Sequence, residues 1–303
     1  MFSLQIRKIL FIIGAGCLLF PTIARSQPDS LRSQIAEISR LAGGKIGVAV
    51  FALEDGDLLT QNGKAHFAMQ SVFKFPLAMY VLHLVDSGKL SLESLIHVTK
   101  RDLHEDTWSP LRDKFPKGNV DVSIRDLLEY SVMTSDNNAT DILFRVIKGP
   151  RQVEKYMRLL GIEAMTIVRT EAEMHATWSV QFQNWCTPVA MLQLLQLFYE
   201  RKSLSTQSSD LLWKLMTEAT SGPKRIKGLL PEGTPVAHKT GTSGSNGHGL
   251  YAATNDVGIV TLPNGKHVAI VVYLSMSKLE IDAREAVIAK IAKAAWDYYV
   301  PSH

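Results

Sequence analysis

The fold is decided by the segment from Leu250 to Ser275, which reads LYAATNDVGIVTLPNGKHVAIVVYLS. Apolar and β-branched residues fill two runs, 250–262 and 266–275, and such runs are typical of strands. Between them lies Asn264-Gly265, a dipeptide that favours the tight turn of a β-hairpin. The segment therefore predicts two neighbouring antiparallel strands late in the chain.

Further strand and helix patterns flank this hairpin. A strand is predicted for Pro235–Thr242 before it, and a helix for Asp282–Tyr299 after it. Near the beginning, a 3/4 spacing of apolar residues predicts a helix over 31–41, and Asp55-Gly56 turns strand 46–53 into strand 58–60. Strands and terminal helices are therefore drawn from both ends of the sequence.

The middle of the chain has helical patterns instead. They cover 123–130, 138–148, 152–160, 187–199 and 208–219. The simplest packing is an α+β fold, an α/β sandwich in which an antiparallel five-stranded sheet is flanked by the terminal helices. We expect one lobe from residues 27–64 and 220–303, an inserted all-helical lobe from 65–219, and an active site in the cleft between them.

The first 26 residues have the pattern of a secretory signal peptide. A basic start at Arg7-Lys8 precedes an apolar run over 9–20, and Ala24-Arg25-Ser26 supplies small residues for cleavage before Gln27. Cys17 raises a lipoprotein alternative, but the residues around it fit a continuing apolar run better. We therefore expect a secreted, periplasmic protein that is soluble after cleavage.

Charge and cysteine content limit the partners. The 303-residue chain has a formal net charge of +4, and three of its bases belong to the predicted signal, which leaves 30 bases against 29 acids. That balance predicts binding neither to nucleic acid nor to an anionic membrane. Cys186 is the single cysteine outside the signal, so we expect stability from a hydrophobic core and not from a disulfide.

Ser71-Val72-Phe73-Lys74 is the first motif that carries chemistry. On a helix, positions i and i+3 share a face, so the lysine amine is expected to reach the serine hydroxyl. A serine hydroxyl becomes a nucleophile when a neighbouring group takes its proton. Two other S-x-x-K matches begin at Ser221 and Ser275, but only Ser71 precedes a helical pattern.

Two further motifs strengthen this interpretation. Ser135-Asp136-Asn137 lies between two predicted helices and, taken alone, is as well explained by a polar loop and helix cap. Lys239-Thr240-Gly241 lies on a predicted strand, where a lysine suits the binding of a substrate carboxylate and a glycine allows close backbone approach. In this order the three motifs are those of class A β-lactamases and penicillin-binding proteins.

The chain resembles the class A serine β-lactamases over essentially the whole sequence after residue 26. The resemblance implies that Ser71 is acylated by the β-lactam carbonyl and that Lys74 assists proton transfer. It implies that Ser135 passes a proton to the leaving lactam nitrogen. It also implies that Asn137 holds the side-chain amide of the substrate.

The same resemblance assigns the strand motif to substrate binding. It implies that Lys239 and Thr240 help to bind the substrate carboxylate beside Gly241. It further implies that the backbone N–H groups of Ser71 and Thr242 form the oxyanion hole.

Turnover needs one more group, because water must be activated by a base before it attacks the acyl-enzyme. Arg169-Thr170-Glu171 matches the acidic loop of the family, and the resemblance implies that Glu171 is the deacylating base. Glu173 is the competing carboxylate, and Arg169 two residues before Glu171 favours Glu171. Whether Glu171 or Lys74 is the base for acylation stays open.

The acidic loop departs from the common family pattern. His175 stands where an amide usually helps to position the water, and Asn184 replaces an aspartate that usually anchors the loop by an ion pair. Together with Gln70 and the segment 180–185, these residues resemble the PER- and VEB-type extended-spectrum branch. That branch implies the entry of oxyimino-cephalosporins into the site.

Two more residues are candidates for substrate binding. Trp108 is interpreted as an aromatic wall of the site, with a buried anchor as the alternative. Arg225 is interpreted as a support for carboxylate binding, with a solvated charge as the alternative.

The predicted function is therefore hydrolysis of penicillins and cephalosporins, which confers β-lactam resistance. A D-Ala-D-Ala carboxypeptidase and a non-hydrolysing β-lactam sensor are the alternatives, and Glu171 argues against the carboxypeptidase. The nine histidines form neither H-x-H nor H-E-x-x-H spacing, which argues against a zinc β-lactamase. We expect a monomer that uses no cofactor and no metal, with a small β-lactam as its partner.

Overall fold

The computed structural model describes residues 29–300. Its helices are α1 (Asp29–Arg40), α2 (Lys74–Asp86), α3 (Pro110–Lys114), α4 (Ile124–Met133), α5 (Asn137–Val146), α6 (Arg151–Leu159), α7 (Glu171–Met174), α8 (Pro188–Tyr199), α9 (Thr206–Thr217) and α10 (Ile281–Tyr299). Its strands are β1 (Lys45–Ala52), β2 (Leu58–Gln61), β3 (Phe67–Ala68), β4 (Leu95–Val98), β5 (Val120–Ser123), β6 (Met165–Thr166), β7 (Trp185–Cys186), β8 (Val236–Thr242), β9 (Thr254–Thr261) and β10 (His267–Ser275).

One sheet combines strands from the two ends of the chain. Its strand order is β2-β1-β10-β9-β8, and each neighbouring pair is antiparallel. The turn at Asn264-Gly265 joins β9 to β10. Gly265 has a φ of +79°, a conformation that residues with a side chain rarely adopt. The predicted α+β fold with its five-stranded antiparallel sheet is confirmed, and β8 forms one edge of that sheet.

Both faces of the sheet are buried, which explains why its strands are almost uniformly apolar. Alternate residues along each strand point to opposite faces. Val48 and Val50 of β1 join a core with α1 and α10, whereas Ala49 between them joins the core of the helices α2 to α9. The sheet is therefore a wall between two hydrophobic cores.

Two features differ from the sequence-based expectation. β9 begins at Thr254 and not at Leu250, because Tyr251 leaves the β8–β9 ladder and pairs with Ser245 and Ser277. The inserted helical segment also contains two small sheets, with the orders β3-β7-β6 and β4-β5. Strands of two to four residues are too short to show a period in the sequence.

The predicted helix caps are present. The Ser123 hydroxyl accepts a hydrogen bond from the backbone N–H of Asp126 at 3.0 Å, and the Thr187 hydroxyl accepts one from Ala190 at 3.2 Å. Each satisfies one of the N–H groups that the first turn of a helix leaves without a partner.

The sequence-based predictions also concern the signal peptide, membrane-spanning helices and Cys186. The predicted signal peptide, residues 1–26, lies outside the described residues. Among the helices of residues 29–300, none has the length and apolar character that crossing a membrane requires. Cys186 is a buried free thiol, and burial raises its pKa.

Gly47 of β1 offers a test of this packing. A Cβ at this position would collide with the ring of Phe67 and approach Pro188. We expect Gly47→Ala to lower the free energy of unfolding by about 1–3 kcal/mol through overpacking. Gly247→Ala is the matched control, because a Cβ added there would meet no atom within 4 Å. Equal denaturation midpoints for the two variants would contradict the described packing.

Candidate active site

Ser71 lies in a short 3₁₀ turn that leads directly into α2. The turn spans Gln70–Phe73, and Lys74 is the first residue of α2. Residues i and i+3 of a 3₁₀ helix are eclipsed, so the motif still places Ser71 and Lys74 on one side. Gln70 has a φ of +47°, and its amide donates a hydrogen bond to Gln181 Oε1 at 2.8 Å, which holds this strained residue in place.

The Lys74 ammonium group is fully buried and has acceptors from two other segments. It donates hydrogen bonds to the carbonyl oxygen of Ser135 at 2.8 Å and to Asn137 Oδ1 at 2.6 Å. It also forms an ion pair with Glu171 Oε1 at 3.0 Å. A buried ammonium group is tolerated only when its charge and its donors are satisfied in this way.

Ser71 and Lys74 meet at a shared carboxylate oxygen. The Ser71 hydroxyl donates a hydrogen bond to Glu171 Oε1 at 3.3 Å, and Lys74 Nζ contacts the same oxygen. The direct Ser71–Lys74 hydrogen bond that the S-x-x-K spacing predicts is replaced by this bridge, because the Lys74 donors point to Ser135, Asn137 and Glu171. Spacing alone predicts that the two side chains are near each other, but not which group lies between them.

The structure distinguishes between the two glutamates of the acidic loop. Glu171 is 4 % exposed and faces Ser71, whereas Glu173 points away from it. The Glu173 carboxylate accepts a hydrogen bond from the Thr170 N–H at 2.9 Å and forms a capping box at the start of α7. Its other oxygen lies 3.4 Å from Arg169 Nη1. Glu171 is therefore the carboxylate that can act on Ser71 or on a water beside it.

Asn184 anchors the acidic loop without an ion pair. Its fully buried amide oxygen accepts hydrogen bonds from the N–H groups of Val168 and Arg169, at 2.8 and 2.9 Å. Its Nδ2 donates to the Arg169 carbonyl oxygen at 2.8 Å and lies 3.3 Å from Met174 Sδ. An amide can both donate and accept, so it satisfies the loop backbone where an aspartate could only accept.

A second carboxylate, Asp141 of α5, caps α7. Its two oxygens accept hydrogen bonds from the N–H groups of Glu171 and Ala172, at 2.7 and 2.9 Å. Burial raises the pKa of Asp141 to about 7, and the negative charge of Glu171 acts in the same direction. Asp141 therefore positions the backbone of Glu171 and titrates close to neutral pH.

The Ser135 hydroxyl lies between two lysines. Ser135 occupies the turn from α4 to α5 with a φ of +58°. Its Oγ accepts a hydrogen bond from Lys239 Nζ at 2.9 Å and lies 3.4 Å from Lys74 Nζ. Burial, followed by the positive charge of Lys74, lowers the pKa of Lys239 well below its usual value. A hydroxyl between two amines can pass a proton in either direction.

The two residues after Ser135 have different surroundings. Asp136 is buried and structural: it caps α5 and accepts hydrogen bonds from the Ser109 hydroxyl and the Leu111 N–H. Asn137 accepts from Lys74 and donates through Nδ2 to Thr107 Oγ1 at 2.7 Å. Asn137 also lines the cleft, so its amide is within reach of a ligand.

The edge strand β8 lies directly against the Ser71 turn. A side chain at Gly241 would collide with the carbonyl oxygen of Met69, so this close approach requires glycine. Asn255 of β9 reinforces the contact, since its Nδ2 donates to the carbonyl oxygens of Ala68 and Met69 at 2.8 and 3.0 Å. The sheet edge and the Ser71 turn are therefore joined by hydrogen bonds.

Arg225 is a buried residue that donates hydrogen bonds to the last two residues of β8. It is 3 % exposed and forms an ion pair with Glu285 at 3.0 Å, so the interpretation as a solvated charge is wrong. Its guanidinium group donates to Thr242 Oγ1 at 2.6 Å and to the Gly241 carbonyl oxygen at 3.1 Å. Its positive charge is therefore in direct hydrogen-bond contact with the Thr242 side chain.

The remaining candidates line a cleft around Ser71. One part of the cleft, about 450 Å³, is bounded by Trp108, Ser135, Ser221, Thr240 and Thr242. Trp108 is 62 % exposed, with its Nε1 donating to the Thr134 carbonyl oxygen at 2.8 Å, so it is not a buried anchor. The other part, about 410 Å³, lies between the acidic loop and residues 243–247, and the exposed His175 lines it.

The chain is similar to known beta-lactamases, in agreement with the arrangement of Ser71, Lys74 and Glu171. Residues 30–299 match the beta-lactamase enzyme family. The chain belongs to that family. It is 43% identical to beta-lactamase VEB-1 of Pseudomonas aeruginosa over 299 residues, which cover 97% of this chain and 98% of the relative. It is 42% identical to the extended-spectrum beta-lactamase PER-1 of the same organism over 273 residues, 90% of this chain and 88% of the relative.

The fold of this chain is also similar to that of a solved beta-lactamase structure. The crystal structure of the TLA-1 extended spectrum beta-lactamase is 50% identical and superimposes with a TM-score of 0.88, covering 90% of this chain and 99% of that one. The predicted family and its PER- and VEB-type branch are confirmed, and the protein is a class A serine β-lactamase.

Some residues of the site have no strong signal in the sequence. Asn255 lies in a run of strand residues, and its two hydrogen bonds to residues 68 and 69 depend on tertiary packing. Ser221 stands out in the sequence only as a second S-x-x-K match, yet its hydroxyl lies 2.7 Å from Thr240 Oγ1 and lines the cleft. Positions brought together from distant parts of the chain are not visible in local patterns.

The raised pKa of Asp141 predicts a specific pH dependence of stability. Its carboxyl loses a proton near 3.8 when unfolded but near 7 when folded, so its contribution to stability is complete below pH 3.8 and is lost as the pH rises to about 7. We expect the free energy of unfolding of the parent protein, minus that of Asp141→Asn, to fall over this interval and to level off above it. Urea denaturation of both proteins at several pH values between 3.8 and 7 measures this difference in unfolding free energy. A difference that rises with pH would contradict the raised pKa of Asp141.

Proposed function

We propose that this enzyme hydrolyses penicillins and cephalosporins, including extended-spectrum cephalosporins, through an acyl-enzyme on Ser71 that Glu171-activated water releases. The observation that carries this proposal is the shared oxygen: Glu171 Oε1 is 3.3 Å from Ser71 Oγ and 3.0 Å from Lys74 Nζ. A nucleophile, a carboxylate base and a cation in mutual contact are the arrangement that acyl transfer to serine needs.

Acylation opens the lactam ring. Ser71 Oγ bonds to the carbonyl carbon while its proton passes to the Glu171 carboxylate, or to Lys74 when that side chain is a neutral amine, and the resulting oxyanion is held by the backbone N–H groups of Ser71 and Thr242. The C–N bond then breaks, and Ser135 gives its proton to the lactam nitrogen. The Lys74 ammonium group lies 3.4 Å from Ser135 Oγ and 3.0 Å from Glu171 Oε1. It is placed to restore the Ser135 proton and then to take up a proton that Glu171 has gained, so that Glu171 is again a carboxylate.

Substrate binding uses the sheet edge. Lys239 and Thr240 hold the substrate carboxylate, and the buried charge of Arg225 strengthens this through its hydrogen bond to Thr242. Asn137 holds the side-chain amide of the substrate. Charged hydrogen bonds of this type are stronger than neutral ones and orient a planar carboxylate well.

Deacylation separates a β-lactamase from the alternatives. Glu171 removes a proton from water, and the hydroxide attacks the ester carbonyl carbon. The bond from that carbon to Ser71 Oγ then breaks as the proton held by Glu171 passes to Ser71 Oγ, 3.3 Å from Glu171 Oε1. A D-Ala-D-Ala carboxypeptidase or a β-lactam sensor would leave the penicilloyl ester on Ser71 for much longer. His175 lines the same cavity as Glu171.

An extended substrate range is supported by the cavity of about 410 Å³ between the acidic loop and residues 243–247. Its walls include Met174, Trp178 and Gln181 on one side and Ser243 and Asn246 on the other. Such a volume can accept an oxyimino side chain of a cephalosporin. The names of relatives such as the extended-spectrum beta-lactamase PER-1 agree with this proposal.

The proposal includes the organisation and location of the mature protein. Two lobes, 27–64 with 220–303 and 65–219, border the cleft that contains Ser71. After cleavage of residues 1–26 the enzyme acts in the periplasm as a secreted monomer and confers β-lactam resistance.

Replacement of Glu171 tests the mechanism. Glu171→Gln keeps the shape of the side chain but removes the base, so we expect kcat for a chromogenic cephalosporin to fall by about 10²–10⁴-fold. An adduct on Ser71 should then persist long enough to be detected by intact-protein mass spectrometry.

Glu173→Gln is the matched control, since the same chemical change removes a carboxylate of the same loop that does not face Ser71. It should keep kcat within about tenfold of the parent, because it weakens only a helix cap. Unchanged turnover in Glu171→Gln would sink the deacylation assignment. A parent enzyme that is acylated but not deacylated would favour the β-lactam sensor or the carboxypeptidase instead.

A further inference from the structure

One wall of the cleft is formed by the loop between β8 and β9, residues 243–253. Ser243, Gly244, Ser245, Asn246 and Gly247 line the cavity opposite the acidic loop. Two of these residues are glycines at which an added Cβ would meet no atom within 4 Å, so these two positions do not pack against other residues. The position of the wall therefore depends on the contacts of its other residues and of the rest of the loop.

The tip of this loop is folded around Asn246. The Asn246 side-chain oxygen accepts hydrogen bonds from the N–H groups of His248 and Leu250, at 2.9 and 3.0 Å. The backbone N–H of Asn246 donates to the Leu250 carbonyl oxygen at 2.9 Å, and that of Gly249 donates to the Asn246 carbonyl oxygen at 3.0 Å. The backbone of the tip is therefore connected internally by four hydrogen bonds.

Tyr251 connects this unit to the rest of the protein. Its backbone pairs with Ser245 on one side and with Ser277 on the other. The Tyr251 N–H donates to the Ser277 carbonyl oxygen at 2.8 Å, and the Ser277 N–H donates to the Tyr251 carbonyl oxygen at 3.2 Å. The ring of Tyr251 lies on the guanidinium group of Arg284, with 3.6 Å between the ring centroid and Cζ.

Arg284 of α10 is a rigid support for that ring. It is 1 % exposed, its Nε donates to the Leu279 carbonyl oxygen at 2.9 Å, and its Nη1 donates to Thr254 Oγ1. Within residues 29–300 no carboxylate forms an ion pair with Arg284, so the face of the Tyr251 ring provides its closest compensation. A desolvated cation gains most from an aromatic face.

We propose that the stacked pair Tyr251–Arg284 holds the 243–250 wall in place and so determines how well the cleft accepts bulky acylamino side chains of β-lactams. This inference rests on the proposed function. Thr254, which Arg284 contacts, lies opposite Thr242 in the β8–β9 ladder, so the same arginine supports both the wall and the strand end beside Ser71. We expect a smaller side chain, such as that of benzylpenicillin, to depend less on the position of the wall.

The pair of variants Tyr251→Leu and Tyr251→Phe tests the proposal. Leucine keeps an apolar side chain but removes the aromatic face, whereas phenylalanine keeps the face and loses only the hydroxyl group. We expect Tyr251→Leu to lower kcat/KM for an oxyimino-cephalosporin about tenfold, the size of a lost small side-chain contact, and to leave benzylpenicillin within about twofold. Tyr251→Phe should match the parent with both substrates.

Benzylpenicillin is the internal control for folding, because a general defect would lower both activities together. Amide hydrogen exchange gives a readout that does not depend on catalysis: residues 244–250 should exchange faster in Tyr251→Leu alone. Parent-like exchange and a parent-like ratio of the two activities in Tyr251→Leu would overturn the proposal, as would equal effects in the two variants. If the parent hydrolyses neither substrate, the proposed function fails, and the exchange comparison still decides whether the pair holds the wall.

Discussion

The site depends on the burial of one charge, the Lys74 ammonium group. It is fully buried, and an ammonium group in that position costs several kcal/mol unless its charge and donors are satisfied. Its partners come from two segments that are distant in sequence: the 135–137 turn and Glu171. Satisfying this one group brings together the Ser71 turn, Ser135 and Glu171.

A second constraint acts from the sheet. β8 must lie close to the Ser71 turn, and Gly241 makes that possible because any side chain there would meet the Met69 carbonyl oxygen. Asn255 and Arg225 then satisfy backbone oxygens on the two sides of the contact. Groups held by such buried hydrogen bonds need little reorganisation when charge develops in a transition state.

The sequence predicts the parts of this site better than their contacts. The hairpin at Asn264-Gly265 and the five-stranded sheet follow from local patterns, because a turn dipeptide and apolar runs act within a few residues. The family motifs likewise locate Ser71, Ser135 and Lys239. The family resemblance and Arg169 also favour Glu171 over Glu173, but the sequence does not show what Glu173 contacts, since its capping box depends on where α7 begins.

The contacts that were not predicted are tertiary ones. Spacing places Lys74 beside Ser71, yet the structure inserts Glu171 Oε1 between them from 100 residues away along the chain. The sequence suggests Arg225 as a support for carboxylate binding, with a solvated charge as the alternative, but its burial and its ion pair with Glu285 depend on the tertiary structure. Two short sheets of the inserted segment escape notice because their strands are too short to show alternation.

The most direct test of the account is amide hydrogen exchange in Lys74→Met, which keeps the bulk of the side chain and removes its charge. If the Lys74 ammonium group holds the two segments together, the peptides covering 134–138 and 168–178 should lose protection, while the β1–β10 pair stays protected. Parent-like protection in both peptides would contradict the account, because the segments would then be held in place without the buried charge.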